Sequence, residues 1–398
     1  MNNTRTAINL FKLSFASCVL ATVAPKSSAA SLDEAVTEQL RTINGTPCFA
    51  LLSSVPLSSL RNGLNDICSR DRLFGDSPPA SSFGGSAGAQ TSLPTGILKR
   101  LKPSDKEDTE LSFKGINVFF STEYESLDRT KTAFEDAYDS DLRRLTAGAD
   151  VRLSSYITMG SALVTYRQNG DFQSGGDFET KSNGILVYGL VQPKETYIQG
   201  SIGYYDRSSN RERSAYFESF DVTFFSASGT PNADFDSDEW TASLSTGYDY
   251  SHNRFTLSPY LALDWSELTV EQYAEQDSSG LALTFYEEEI NSLMSTLGLH
   301  SSYTISVSNG VIAPQLDIAW KHEYKNDQRE PEVSFVDDTL NKRFSYQTDD
   351  PDRDFYEVAA SLVFIAPGGI QGFATFRETL SHNFLDQSAI VIGGRLEL

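Results

Sequence analysis

The sequence predicts an all-β protein, a twelve-stranded antiparallel up-and-down transmembrane β-barrel preceded by a short N-terminal helical segment. Three observations lead to this fold class. Apolar and polar residues alternate with a period of two, the alternating segments are long enough to cross a membrane, and the links between them alternate between short and long. A period of two places one face of each strand in an apolar environment and the other face in water.

The alternation is clearest around residue 260. Phe255, Leu257, Leu261, Leu263 and Trp265 share one face, and mostly polar or small residues occupy the other. The alternating segments run to about ten or more residues, which suits a tilted membrane strand and exceeds the usual soluble strand. The predicted strands are 116–126, 143–153, 156–168, 183–192, 196–206, 239–250, 255–268, 289–305, 311–325, 354–366, 370–380 and 387–398.

The links support a barrel over a soluble sandwich. Short links at 154–155, 193–195, 251–254, 306–310 and 367–369 alternate with long ones at 127–142, 169–182, 207–238, 269–288 and 326–353, and a shorter sixth link at 381–386 closes the series. Such alternation is typical of an outer-membrane barrel, and Greek-key connections give no reason for it. Aromatic residues near the strand ends suggest interfacial girdles. They are Tyr124, Tyr166, Tyr204, Tyr205, Trp240, Tyr248, Tyr250, Trp265, Tyr303, Trp320, Tyr356 and Phe364.

The composition restricts the classes of function. The formal net charge of −22 opposes nucleic-acid binding, which needs a basic surface. Aromatic residues make up 12% of the chain, too many for a largely disordered protein. No run of about eighteen apolar residues follows the N-terminal region, so the sequence predicts no transmembrane helix.

The N-terminal region divides into three parts. Residues 1–30 resemble a secretory signal peptide, with Arg5 and Lys12, an apolar stretch over 13–24 and a small-residue cleavage site at 28–30. A lipid attachment at Cys18 is the weaker alternative. Residues 31–74 are predicted to form a short helical segment closed by a Cys48–Cys68 disulfide, because an isolated pair in an oxidising periplasm is usually bridged.

Residues 75–112 form a Gly-, Ser- and Pro-rich linker that includes a possible helix at 95–102. The barrel is assigned to residues 113–398. Within it, the region resembles the autotransporter β-domain of type V secretion. The resemblance lies in Thr256–Tyr260, Ser292–Leu299, Asp349–Asp354 and Gly393–Leu398. It implies a barrel inserted into the outer membrane by the barrel assembly machinery, with a helix through the lumen that joins it to an exported passenger.

That resemblance has consequences for individual residues. The candidate lumen segment is residues 94–112, in which the basic stretch Thr95–Lys102 could form about two helical turns, and an ordinary periplasmic linker is an equal alternative. The candidate lumen-lining acids that it would meet are Glu123, Asp150, Asp249, Asp264 and Asp317. The C-terminal assembly signal would comprise Ile390, Ile392, Leu396 and Leu398, with Leu398 standing where the family usually has an aromatic residue.

Nothing in the sequence predicts an enzyme, a metal site or a cofactor. The four histidines lack ligand spacing, and no nucleophile elbow or P-loop is present. Asp234, Asp236 and Asp238 resemble half of a calcium loop but lack its Gly and Glu, so a solvated external loop is expected. A hydrolase with Asp249 and Asp264 as paired acids is the remaining enzymatic hypothesis.

The expected function is therefore an outer-membrane autotransporter-like translocator or surface-display barrel with little or no passenger. The alternative is a stand-alone porin-like or adhesive barrel. The expected partners are outer-membrane lipid, the barrel assembly machinery and periplasmic chaperones, with no nucleic acid, and the protein is expected to be a monomer. The expected location is the outer membrane of a Gram-negative bacterium, after cleavage of the signal peptide.

Overall fold

The described part of the chain is a closed β-barrel. A computed structural model describes residues 73–74, 115–219, 225–325, 327–338 and 341–397. The predicted signal peptide, the Cys48–Cys68 pair, the segment 75–112 and Leu398 lie outside these residues. The twelve barrel strands are β1 Ile116–Arg129, β2 Tyr138–Arg152, β3 Ile157–Phe172, β4 Asp177–Val191, β5 Thr196–Glu212, β6 Asn232–Tyr248, β7 Phe255–Val270, β8 Glu288–Tyr303, β9 Gly310–Glu323, β10 Asp354–Ile365, β11 Ile370–Leu380 and β12 Leu385–Glu397.

Each barrel strand pairs antiparallel with its neighbours in sequence, which confirms the predicted twelve-stranded barrel. Apart from Leu73–Phe74, the predicted N-terminal helical segment lies outside the described residues. The ring closes where β1 meets β12, in a continuous register from Asn117 opposite Glu397 to Arg129 opposite Leu385. Closure leaves no open sheet edge in the barrel, and lipid could not satisfy the polar groups of such an edge. Across the described ranges, no helix has the length and apolar character to span a membrane.

Within the central part of the barrel, the outward side chains are mostly apolar, whereas the inward rows mix polar and charged side chains with apolar ones. Phe120 points outward and is 59% exposed, whereas its neighbours Phe119 and Ser121 point inward and are buried. The row continues outward through Val118 and Tyr124 on β1. This arrangement is the reverse of a soluble protein and is expected of a wall that contacts lipid.

The polarity reverses toward the end that carries the long links. At the start of β6, Ala233 and Phe235 are buried inside, and Asp234 and Asp236 face outward. The strand begins at Asn232, so the prediction of a link over 207–238 and of a solvated loop around Asp234 was wrong. The strand continues because the inward side chains find an apolar core there, beyond the lipid-facing belt.

That core is completed by the long links. The β7–β8 and β9–β10 links contribute a four-stranded sheet of Tyr273–Ala274, Leu283–Phe285, Glu332–Phe335 and Phe344–Ser345. Side chains of this sheet pack on the inner face of β6–β8, and the Tyr273 ring stacks on Phe235 and Phe285. The β5–β6 link forms a second small sheet, in which Ala215–Ser219 pairs with Phe225–Gly229 and with Leu73–Phe74. Short extensions at Tyr250–His252 and Ile305–Val307 flank the tight turns at the other end.

Two of the residues expected in the aromatic girdle point into the barrel instead. Tyr166 and Tyr205 are buried, with 4% and 0% exposure. Tyr166 lies between the guanidinium groups of Arg144 and Arg207, which are 5.7 and 5.6 Å from its ring centre. For Tyr166 the prediction was wrong because an aromatic ring near a strand end can also be a partner for lumen cations.

Glycines on the inner wall make room for aromatic rings of the adjacent strand. A Cβ on Gly298 would collide with the ring of Tyr260, and a Cβ on Gly184 would collide with the ring of Tyr205. Each ring therefore lies flat across its glycine. The tight β8–β9 turn needs Gly310 for a different reason, because its φ is 149° and a Cβ there would meet the Ile365 carbonyl oxygen.

Candidate functional site: the barrel lumen

The lumen is the candidate functional site because the inward rows of the strands carry most of the buried charge of the barrel. The structure places Glu123, Asp150, Asp249, Asp264 and Asp317 on inward rows of β1, β2, the end of β6, β7 and β9. These five acids do not form one cluster. They divide into two groups that differ in their partners.

Glu123 belongs to an ion-pair network on the wall formed by β9–β12, β1 and β2. It accepts hydrogen bonds from Arg144 at 2.8 Å and from Arg377 at 2.7 Å. Arg377 also contacts Glu125, and Lys321 donates to Glu357 at 2.9 Å. The carboxylates of this wall are therefore neutralised by arginine and lysine side chains of the barrel itself.

Asp150 is the centre of a second buried cluster near the short-turn end. It accepts hydrogen bonds from Arg395 at 2.6 Å, Asn117 at 2.8 Å and the Tyr188 hydroxyl at 3.1 Å. The Asp150 side chain has no exposed surface, and the Arg395 side chain is 4% exposed. Because Arg395 is on β12 and Asp150 on β2, this pair spans the closing β1–β12 junction.

The other three acids contact mainly neutral groups. Asp249 accepts hydrogen bonds from Ser258 at 2.5 Å and Gln192 at 3.1 Å. Asp317 accepts one from the Tyr260 hydroxyl at 2.8 Å and lies 3.3 Å from His300.

Asp264 is opposite Ser243 across the β6–β7 pair. We call Asp249, Asp264 and Asp317 the acidic wall. The described residues give these three carboxylates no arginine contact comparable to those of Glu123 and Asp150.

The hypothesis of an acid pair formed by Asp249 and Asp264 is not supported by the register. Asp249 contacts Ser258, which lies six residues before Asp264 on β7. At about 3.3 Å per residue, the two carboxylates are separated by about 20 Å along the strand. Within the described residues, no group of three His, Cys, Asp or Glu side chains is arranged to hold a metal ion.

The long-link end of the lumen is narrowed by buried ion pairs between links. Arg213 makes a bidentate contact with Glu275, which joins the β5–β6 and β7–β8 links. Asp349, at the end of the β9–β10 link, accepts hydrogen bonds from Arg129 and Thr132 at 2.6 Å each, on the opposite side of the mouth. A cavity of about 290 Å³ remains beneath this link, lined in part by Lys321, Glu323 and Arg377.

The sequence analysis named these acids, which lie on inward rows, but not the cations that pair with some of them. Arg144, Arg377 and Arg395 all follow the same inward parity as the polar residues of their strands. This parity is the sequence signal that could have identified these arginines. It places them on the same inner face as the acids, and side chains that are neighbours on one face of a sheet interact.

A closed antiparallel barrel with an apolar exterior and a charged interior defines an outer-membrane β-barrel protein. The sequence matches the autotransporter β-domain family over residues 118–377, which is more than half of the chain. The chain belongs to this family. The expected family resemblance is therefore confirmed, and the barrel is an outer-membrane translocator unit of a Gram-negative bacterium.

Individual relatives are more distant. Outer membrane protein A of Rickettsia conorii is 27% identical over 211 residues, which cover 51% of this chain and 10% of that protein. Lipase 1 of Photorhabdus luminescens is 21% identical over 183 residues, covering 45% of this chain and 27% of that protein. The chain therefore matches less than a third of the length of these curated relatives.

Solved structures that share the fold include two autotransporter domains. The translocator domain of the autotransporter NalP from Neisseria meningitidis has a TM-score of 0.55 and 13% identity, covering 72% of this chain and 90% of that chain. The β-domain of the Bordetella autotransporter BrkA has a TM-score of 0.51 and 14% identity, covering 72% of this chain and all of that chain.

Proposed function

We propose that the barrel carries the segment that precedes it, residues 31–112, through its lumen and displays it at the cell surface. In this proposal the signal peptide is removed after Ala30, and the Cys48–Cys68 disulfide closes the displayed segment. The proposal includes no catalytic step. The observation that carries it is the acidic wall, a set of lumen carboxylates that lack arginine contacts of the kind that neutralise Glu123 and Asp150.

One part of the segment before the barrel, residues 95–102, has the complementary charge, whereas residues 103–112 are net acidic. Lys99, Arg100 and Lys102 lie within residues 94–112, and Pro103 would end a helix that contains them. A basic segment in a low-dielectric lumen would be attracted to the carboxylates of the acidic wall more strongly than in water. The opposite wall offers less attraction, because its acids already contact Arg144, Arg377 and Arg395.

The last strand supplies a surface for assembly. Ile390, Ile392 and Leu396 face outward on β12 and are 50%, 53% and 37% exposed. We propose that this apolar row, with Leu398, is bound by the barrel assembly machinery after delivery by periplasmic chaperones. The protein is then expected to remain in the outer membrane as a monomer.

Surface display is tested with an epitope tag placed after residue 45 and detected on intact cells by antibody and by external protease. The informative variant is Asp249→Asn, Asp264→Asn and Asp317→Asn combined. Its matched control is Asp234→Asn, Asp236→Asn and Asp238→Asn, which removes the same charge from the outer face of β6.

The lumen variant is expected to delay the appearance of the tag, with an unchanged amount of folded barrel judged by gel mobility before and after heating. The control variant is expected to behave as wild type. Equal rates in all three proteins would refute the role of the acidic wall. A tag that stays protected in intact cells would refute surface display.

Ion conductance in planar bilayers separates a translocator from a porin-like barrel. The full-length protein is expected to conduct little, and deletion of residues 31–112 is expected to open the pore. A stable open pore in the full-length protein would favour the porin-like alternative.

A further inference from the structure

Three basic side chains form a single row on the outer face of the barrel. Arg143 on β2 is directly opposite Arg167 on β3, and Arg167 is directly opposite Lys181 on β4. All three are exposed to the exterior. The other lysines and arginines within the twelve described strands follow the inward rows, so outward basic charge in those strands is confined to this place. We call these residues the basic row.

The basic row lies at the boundary of the lipid-facing belt that is nearer to the long links. Toward the short-turn end, the next outward rows contain Leu145, Leu163 and Ile185, with exposures of 50%, 68% and 49%. Arg143 is also opposite Tyr124, whose ring centre is 6.0 Å from the guanidinium. Exposed tyrosines at such a boundary mark the level of the lipid headgroups. The basic row therefore faces the headgroup region of the outer leaflet.

On β2–β4 the acidic neighbours of the basic row lie on its long-link side, and among them only Glu179 forms ion pairs with the row. The Glu179 carboxylate is shared by two cations. It forms an ion pair with Arg167, and its oxygen lies 3.2 Å from the Lys181 ammonium nitrogen. Asp141, the nearest carboxylate on β2, accepts the hydroxyl hydrogen bond of Tyr124 at 2.5 Å. The contact of Arg143 is the ring of Tyr124.

Like charges directly opposite each other destabilise a sheet pair, so an aligned row of three cations is unfavourable without an anion. Arginine and lysine at this depth suit a phosphate, since guanidinium groups bind phosphate oxygens in bidentate fashion. The acidic residues Asp139, Asp171 and Asp177 lie further out on the same strands. An anion would therefore be bound at the depth of the basic row itself, next to the acyl-chain region of the membrane.

We propose that the basic row binds the phosphate groups of the phosphorylated glycolipid of the outer leaflet, lipopolysaccharide, through its lipid A part. The acyl chains of that lipid would lie along the apolar exterior of β2–β4, below the bound phosphates. This inference concerns the outer surface of the barrel and does not depend on what passes through the lumen.

The test measures lipid A bound to the full-length protein in detergent by native mass spectrometry. The variant combines Arg143→Gln, Arg167→Gln and Lys181→Gln. The control combines Lys131→Gln, Lys342→Gln and Arg343→Gln, which removes the same charge from exposed sites in the long links. Bis-phosphorylated lipid A and chemically dephosphorylated lipid A are compared, and inorganic phosphate is added as a competitor.

At roughly 1 kcal/mol for each basic residue at a membrane surface, loss of the row should weaken lipid A binding about 100-fold, whereas the control should bind as wild type. Dephosphorylated lipid A should bind wild type as weakly as the phosphorylated lipid binds the variant. Millimolar inorganic phosphate should compete only weakly, because it lacks the acyl contacts.

Equal binding of the two lipids to wild type would overturn the proposal, and this comparison does not require the variant to fold. Equal loss in the variant and the control would also overturn it. Complete competition by inorganic phosphate would show a generic anion site and would refute the lipid assignment.

Discussion

Removal of the Asp150 carboxylate is expected to cause a large loss of barrel stability. Asp150→Ala leaves Arg395, Asn117 and the Tyr188 hydroxyl without an acceptor that they use in the wild-type barrel. Breaking a buried ion pair by removing one partner typically costs about 3–5 kcal/mol, because the remaining charge stays buried. We expect a loss of that size in the free energy of unfolding, which is a large fraction of the stability of a typical domain.

A double-mutant cycle isolates the ion pair from its neighbours. Arg395→Met removes the cation and keeps much of the side-chain volume. The double variant should lose less stability than the sum of the two single variants, since neither buried charge then remains. Unfolding is followed in urea with the protein in phospholipid vesicles, from tryptophan fluorescence.

The control for this experiment is Asp234→Ala on the exposed outer face of β6, which should change the free energy of unfolding by no more than about 0.5 kcal/mol. A loss below about 1 kcal/mol for Asp150→Ala would refute the reasoning, since it would mean that the cluster around Asp150 does not hold the buried guanidinium. Strict additivity in the cycle would refute the claimed coupling between Asp150 and Arg395.

Three further predictions concern other parts of the barrel. Burial lowers the pKa of His382 below its usual value of 6.5, so the folded protein resists its protonation. The contribution of neutral His382 to the free energy of unfolding should therefore be fully present above pH 6.5 and decline as the pH drops below that value. Urea titrations at pH 7.5 and 5 should show a smaller difference in the free energy of unfolding for His382→Gln than for the wild type. Gly298→Ala should destabilise the barrel by about 1–3 kcal/mol because its Cβ collides with the Tyr260 ring. Gly372→Ala should cost much less, because its Cβ would meet only the Gly393 carbonyl oxygen, at an ordinary contact distance of 3.9 Å. Equal effects would contradict the packing argument. Arg213→Gln should loosen the β7–β8 link and speed its cleavage by external protease, with no change expected if the buried ion pair is dispensable.

The strands in the lipid-facing belt were predictable because one simple rule governs them. Outward residues such as Leu261 and Leu263 are apolar wherever lipid is the neighbour, so alternation alone identified the wall. The rule fails beyond the belt. There Phe235 turns inward and Asp234 turns outward, and an acidic stretch that looks like a loop is in fact the start of β6.

The candidate site was only partly predictable for a related reason. Alternation assigns a residue to the inner face, and it did so for Glu123, Asp249 and Asp317. It does not reveal partners on strands that are distant in sequence. Glu123 and Arg377 are 254 residues apart and meet only because the ring closes. The difference between a neutralised wall and an acidic one depends on such contacts.

The continuous ladder between the first and last strands also limits how the barrel can open. It extends from Asn117 opposite Glu397 to Arg129 opposite Leu385, which is nearly the full length of both strands. A lateral gate into lipid would have to break these hydrogen bonds in a medium that offers no replacements, and each unsatisfied group costs several kcal/mol there. Once assembled, the barrel is therefore restricted to axial traffic. Any factor that holds it open sideways during insertion has to shield both strand edges until they meet.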